Sequence, residues 1–208
     1  MSHARNDTVR RQPTIVTKRL VLRPFRNADV SRLAELANDR RIAQKTLLIP
    51  HPYTEQTARE WIATHRGKFE RGEDVVFAVT TGNDEEPIGA VGLSIFHEHN
   101  RGEIGYWMGV PYWNQGYCTE AARAMLAYGF EELNLHKICA NHFATNPASG
   151  RVMANIGMTR EGVFKSHIEK WGEYEDMVCY GILKSEYVSG VSRQGSEGCS
   201  PSRTDMGE

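Results

Sequence analysis

The sequence predicts one domain of the mixed α/β class, a single sheet with antiparallel and parallel strands flanked by helices. Three observations predict it. Short apolar runs with period-two alternation recur along the chain, bounded by turn residues, as strands do. Longer stretches with apolar residues three and four apart lie among them, as helices do. One such helix joins two strand candidates as a crossover, the connection that a parallel pair requires.

TKRLVLRPF (17–25) alternates apolar and polar and reads as the first strand. NADVSRLAELAND follows, with Asn27 able to cap and Val30, Leu33, Ala34 and Ala37 at helical spacing. A polar, proline-containing stretch leads to TEQTAREWIATHRGKFERG, a helix capped by Thr54 or Thr57, with Trp61 and Ile62 turned inward and Gly72 at its end. DVVFAVTT (74–81), PIGAVGLSIFHEH (87–99) and GEIGYWMGV (102–110) are strands separated by turn-like NDEE and HNRG, so an antiparallel meander is expected. The helix at 119–134 presents Ala121, Ala122, Met125, Leu126, Phe130 and Leu133 on one face and crosses to the strand HKICANHFA. PASGRVMANIG is a helix with Pro147 in its first turn and Gly157 past its end. MTREGVFKSHIEK and EDMVCYGILK complete the order β-α-α-β-β-β-α-β-α-β-β. Residues 1–13 and 189–208 carry little to bury and are expected to stay unordered around a domain spanning 14–188.

The 208 residues carry a net charge of −1, so no global excess of positive charge draws the chain to nucleic acid or an acidic membrane. The basic residues near the start, Arg5, Arg10, Arg11, Lys18, Arg19, Arg23 and Arg26, read mostly as a solvated face. Cys118, Cys139, Cys179 and Cys199 stand far apart with no C-x-x-C pair, which argues against a zinc site, a redox motif or a disulfide framework. A cytoplasmic setting is expected. No apolar run suggests a signal peptide or a membrane span.

In PYWNQGYCTEAARAML (111–126) a strand stops at Pro111, Gly116 exposes backbone, and a helix starts at once. The first N–H groups of a helix lack partners and sit at the positive end of its dipole, so the stretch suits an anion such as a phosphate. A plain tight turn with Thr119 as helix cap is the alternative. A Walker A loop fails because QGYCT has no lysine. A dinucleotide fingerprint fails because only Gly116 is present and HKICANHFATN offers no acid.

The stretch EIGYWMGVPYWNQGYCTEAARAMLAYGFEELNLHKICANHFATNPASGRVMANIGMTREG resembles the GNAT superfamily of acetyl-CoA-dependent N-acetyltransferases. Within it the chain is similar to the RimJ/RimL-like branch, whose named members acetylate ribosomal-protein N-termini. RLVLRPF and HIEKWGEYEDMVCYGILKSEY share that likeness, which covers residues 17–187. The resemblance implies the GNAT acyl-CoA N-acyltransferase fold, with strands 103–110 and 137–144 splayed around the coenzyme. It implies acetyl-CoA as co-substrate, direct transfer and no metal. The coenzyme pyrophosphate would lie on the N–H groups of Asn114, Gln115, Gly116, Tyr117, Cys118 and Thr119. The family loop often reads Q/R-x-x-G-x-G/A, and here Trp113 and Cys118 stand at its first and last places. At a helix start the Cys118 thiol could have a lowered pKa, although packing is the expected role because its segment offers no base.

Acetyl transfer to an amine needs a base, an oxyanion site and an acid for the leaving thiolate. The resemblance points to Glu103 as base, with His97 and His99 as alternatives. HEH has no third ligand nearby, so a metal is not expected. Backbone N–H groups around Met108, Gly109 and Val110 are expected to face the oxyanion, left unpaired where the strand ends or bulges. The pantetheine arm would pair with the open strand edge. Ser149 would protonate the thiolate, with Tyr180 in reserve. Asn146 would bond the pantetheine, cap the helix, or both, and Arg151 would reach a phosphate or simply be exposed. Tyr106, Trp107, Tyr112, Trp113 and Tyr117 are expected mostly as core, with Tyr106, Trp107 or Trp171 lining an acceptor channel. The acceptor is expected to be the N-terminal α-amine of a protein such as a ribosomal protein. A small amine (amino acid, polyamine or aminoglycoside) or a non-catalytic acyl-CoA sensor are the alternatives. Loops 39–56 and 97–101 are expected to decide the acceptor. Neither nucleic acid nor membrane is an expected partner, and a homodimer is left open.

Overall fold

The computed structural model describes residues 11–82 and 86–189. Most of both expected terminal tails therefore lies outside the described residues. Within them, the Gln12 side chain donates to the Val76 carbonyl at 2.7 Å.

The elements run β1 (Ile15–Val16), β2 (Leu20–Arg23), α1 (Val30–Ala37), α2 (Arg40–Lys45), α3 (Glu55–Glu70), β3 (Asp74–Thr81), β4 (Pro87–Phe96) and β5 (Arg101–Met108). Then come α4 (Tyr117–Ala127), β6 (Lys137–Phe143), α5 (Pro147–Asn155), β7 (Thr159–Lys170) and β8 (Glu173–Leu183). The first strand is shorter than the alternation suggests. Thr17 closes a turn on Leu20 through backbone and side chain, which divides β1 from β2. β2 stops before Pro24, which has no N–H for the ladder. Asn27 does not cap α1. A 3₁₀ turn, Asn27–Asp29, precedes it, and Asp29 takes both guanidinium nitrogens of Arg23 at 2.8 Å. Arg23 is thus a buried ion-pair partner and not part of a solvated face.

α2 was not legible in the sequence. Only Ile42 and Ala43 are buried in its six residues, too few for a periodic signal, and Asp39 caps it by accepting from the Arg41 N–H. Thr54 caps α3 by accepting from the Thr57 N–H. α4 begins two residues earlier than expected. Its N-cap is Gly116, in the left-handed region at φ 78°, so Thr119 lies inside the first turn. The expected helical face is continued by a π turn at Tyr128–Glu132.

All eight strands form one sheet in the order β1-β2-β3-β4-β5-β6-β8-β7, with only β5 and β6 parallel. One face carries Val75, Leu93, Ile104, Phe77, Val91 and Met108 against Ala122, Met125 and Leu126 of α4 and Met153 of α5. That face is the main core. The other carries Val76, Gly92, Gly105 and Trp107, and its smaller apolar cluster comes from α1 and α3. Small residues on that face leave room for a cleft. Among the described residues no helix is long and apolar enough to cross a membrane.

Candidate active site

β5 and β6 pair at Arg101↔Lys137, Gly102↔Ile138 and Glu103↔Cys139, and pairing stops there. β5 continues against β4 as far as Met108, and β6 against β8 as far as Phe143. The two strands therefore splay, as the family resemblance implied. The Gly109 N–H points away from the gap and donates to the Ile88 carbonyl at 2.8 Å. Because backbone direction alternates along a strand, the N–H groups of Tyr106 and Met108, past the last β5–β6 pair, face the gap. The expectation of free donors across 108–110 is corrected at Gly109. The Met108 carbonyl is also occupied, by the Trp113 indole N–H at 2.7 Å.

A cleft of about 1250 Å³ runs through this gap. At one end is the loop into α4. Asn114 (φ 59°) and Gly116 (φ 78°) both adopt the left-handed region, which suits the two residue types present. The Glu120 N–H is bonded to the Gly116 carbonyl, while Tyr117, Cys118 and Thr119 supply the first-turn N–H groups. Such a concave run of donors fits a pyrophosphate. Arg19 braces the loop. It donates to the Gln115 carbonyl at 2.9 Å and to Glu120 at 2.7 Å, and its guanidinium lies 4.7 Å from the Tyr117 ring centre. Thr17 also donates to Glu120. The sequence reading placed Arg19 on a solvated face. No local signal could have found the contact, which spans about a hundred residues of chain. Gln115 turns its amide back onto the Pro111 carbonyl. Burial pushes the Cys118 thiol up to about 12, away from an activated thiolate, and the side chain packs against the main core.

Glu103 lies where the strands part, and the Asn141 amide donates to its Oε1 at 3.1 Å. A neutral amide thus orients the carboxylate without neutralising it. The nearby acid Asp74 is paired with Lys68 at 2.7 Å. Neither His97 nor His99 lines the cleft. His97 is bonded to the Gly72 carbonyl at 2.8 Å and secures the turn into β3. Loop 97–101 is likewise absent from the lining, whereas the segment from Ile42 to Tyr53 contributes strongly.

Across the gap, the Ser149 hydroxyl donates to the Tyr106 hydroxyl at 3.1 Å, and the Tyr106 hydroxyl donates to the Ser149 carbonyl at 3.0 Å. Burial pushes the Tyr106 phenol up, so it stays protonated. His142, under Gly150, donates from Nδ1 to the Phe143 carbonyl and packs on Tyr180. Asn146 does not cap α5. Its amide donates to the Lys45 carbonyl at 3.2 Å, while Lys45 donates to the Thr145 carbonyl. Arg151 is exposed at the rim. Tyr106, Tyr112 and Tyr117 are half-buried against the main core, Trp107 against the α1–α3 cluster, and Trp113 is exposed; all five also line the cleft. Trp171 does not line it. It sits at the β7–β8 tip between Arg40 and Lys170, and Lys170 donates to the Thr46 and Leu47 carbonyls. Among the described residues, no group of three or more His, Cys, Asp and Glu is placed to hold a metal.

Residues 19–159 match the model of the acetyltransferase (GNAT) domain family. The N-acetyltransferase YnaD of Bacillus subtilis is 38% identical over 175 residues, which cover 83% of this chain and 98% of YnaD. A GNAT-family acetyltransferase of Bacillus anthracis superposes with a TM-score of 0.74 at 31% identity, over 83% of this chain and 99% of its own. RimL, a ribosomal L7/L12 α-N-protein acetyltransferase solved with coenzyme A, has the same fold, with a TM-score of 0.74 at 22% identity over 81% of this chain and 96% of its own. The splayed parallel pair, the donor loop at the head of α4 and the extent of these matches lead to one assignment: the chain belongs to the GNAT acetyltransferases, RimJ/RimL-like enzymes that use acetyl-CoA, and is an N-acetyltransferase.

Proposed function

We propose that the chain acetylates the α-amine of a polypeptide N-terminus, with Glu103 as base and Ser149 as acid. The observation that carries the acceptor class is the length of the groove beyond Glu103. It runs out to Leu48, 88% exposed, and Phe164, 56% exposed, apolar side chains that line the same cleft and stay largely uncovered among the described residues. A small amine would end at Glu103, whereas a peptide reaches that surface. RimL, of the same fold, is named for such an acceptor, which adds support.

Coenzyme A would be held by the backbone of Asn114 to Thr119, by the open β5 edge at Met108, by Asn146 and by Arg151, and it supplies the activated acetyl thioester. Val110, just past the strand end, is a further candidate donor, while Gly109 shapes the edge. Glu103 takes a proton from the attacking amine, directly or through one water. As the new C–N bond forms and the C–S bond breaks, Ser149 Oγ gives its proton to the thiolate. Tyr106 holds the Ser149 hydroxyl, whose proton is donated to the Tyr106 oxygen and turns from it to the thiolate in this step. Glu103 then loses its proton to solvent and Ser149 regains one.

The test follows thiol release with short peptides, amino acids, polyamines and aminoglycosides. Peptides should be acetylated and Glu103→Gln should lower kcat by roughly 10²–10³, with acetyl-CoA affinity kept. Turnover confined to small amines would refute the acceptor class. Full activity in Glu103→Gln would refute the base.

A further inference from the structure

Gly105 stands in the interior of β5, where glycine weakens a strand by its backbone entropy and its lack of a packing side chain. Three features of a fold ordinarily require such a glycine: a left-handed backbone, a register irregularity, or a neighbour that a Cβ would strike. None applies. Among the described residues the positive-φ glycines are Gly72, Gly116, Gly157 and Gly172. The β4–β5 register runs without a shift from Gly89↔Met108 to Phe96↔Arg101. A Cβ built on Gly105 meets no atom within 4 Å. The contrasts are informative. Gly92, directly opposite, would bring a Cβ to 3.3 Å from the Val75 carbonyl, and Gly102 would strike Leu93 and Leu135 at 2.9 Å. Gly162 also has open surroundings, but it lies at a register shift in β7. Among the described glycines that stand in strands, only Gly105 has no reason within the described residues.

A requirement from outside the chain remains: something approaches this backbone closely. Gly105 lies on the cleft face, two residues from Glu103 and two from Trp107, so those side chains rise from the same strand at points ~13 Å apart with nothing between. Gly92 extends the bare floor onto β4. The Trp107 ring packs with the α1–α3 cluster and closes one end, and Glu103, oriented by Asn141, closes the other.

We propose that Gly105 is the seat of the acceptor: the carbon bearing the reacting amine lies flat on the Gly105 backbone, with nitrogen toward Glu103 and substituents toward Trp107. The missing Cβ sets how much bulk that carbon can carry. The inference rests on the acceptor reading above and makes Gly105 a specificity determinant, not a catalytic residue.

The experiment uses Gly105→Ala and Gly105→Val in the full chain. Peptides identical except for a first residue of Gly, Ala, Val or Phe report acceptor size, and methylamine, isopropylamine and tert-butylamine report it for small acceptors. Melting temperature and acetyl-CoA Kd are measured alongside. Both variants should melt at or above the wild-type temperature, because Ala and Val suit a strand better than Gly. Acetyl-CoA Kd should stay within about twofold, while kcat/KM for bulky acceptors falls about tenfold in Gly105→Ala and about 100-fold in Gly105→Val, with the smallest acceptor spared most. An unchanged size profile, a lowered melting temperature, or an equal loss of acetyl-CoA binding would each overturn the seat. If the wild type acetylates only small amines, the peptide reading falls while the alkylamine series still decides the seat. No thiol release with either series would overturn both.

Discussion

The loop proposed for the coenzyme phosphate and the groove proposed for the acceptor line one cleft but are built differently. The loop comes from one continuous stretch, Met108 to Thr119, and would act through backbone N–H groups. The groove gathers Trp61 and Lys68 of α3, Gly92 of β4, Glu103 and Gly105 of β5, the segment after α2, and Phe164 and His167 of β7. A site that needs donors at a helix start can be written in a dozen residues, since the helix supplies the chemistry. A site that needs a shape requires separate elements to converge, and each contributes a surface that has no meaning alone.

That contrast predicts separable losses. The largest is expected at Gly116→Val. A β-branched residue is strained at φ 78°, and its Cβ would come within 3.3 Å of Arg19 Nη2, so the loop should shift and acetyl-CoA affinity fall about 100-fold, read by calorimetry. Acceptor KM, measured at saturating acetyl-CoA, should hold; a matching rise there would mean the two halves are not independent. Next is Ser149→Ala, at the boundary between them. It should lower kcat about tenfold while leaving both affinities in place, and a change confined to KM would recast Ser149 as a binding residue.

The smallest effect on turnover is expected at His65, behind the groove wall. Its ring nitrogens have no hydrogen-bond partner, and it packs against Phe25 and Trp61. Burial pushes its pKa down to about 4. The unfolded chain therefore binds the proton more readily, so the neutral ring's contribution is complete above about pH 6.5 and is lost as pH falls toward 4, on the order of 3 kcal/mol in all. His65→Phe should flatten the melting temperature over that window and leave kcat at pH 8 unchanged. A wild-type melting temperature that does not fall from pH 6.5 to 4 would show that the ring is not held neutral.

Several features were legible early because their signals are local. The meander, the crossover helix, the Pro147 helix start and the Gly116 loop each depend on residues a few positions apart. The candidates Glu103 and Ser149 came from a family likeness, and only the fold put them on opposite sides of one gap. Other features were misread for definite reasons. Arg23 looked like surface charge because its partner, Asp29, becomes a partner only after folding, and the bond of the exposed Arg19 to Glu120 was hidden for the same reason. Of the five aromatics near the loop, Trp113 looked like core and is exposed, because burial in a sequence is inferred from residue type. α2 carried too few apolar residues to declare itself. Loop 97–101 seemed close to the chemistry by sequence distance, but the turn at Asn100, in the left-handed region at φ 45°, leads away from the cleft.

By itself the sequence determined the order of most elements, the mixed sheet and a glycine loop at a helix start, because periodicity, turn residues and helix starts act over a few residues. Tertiary structure alone decided where β5 and β6 part, that Cys118 packs against the main core, and that Gly105 faces open space between an acid and a tryptophan. Those properties belong to distances and burial between segments far apart in the chain, and such quantities do not exist until the sheet has formed.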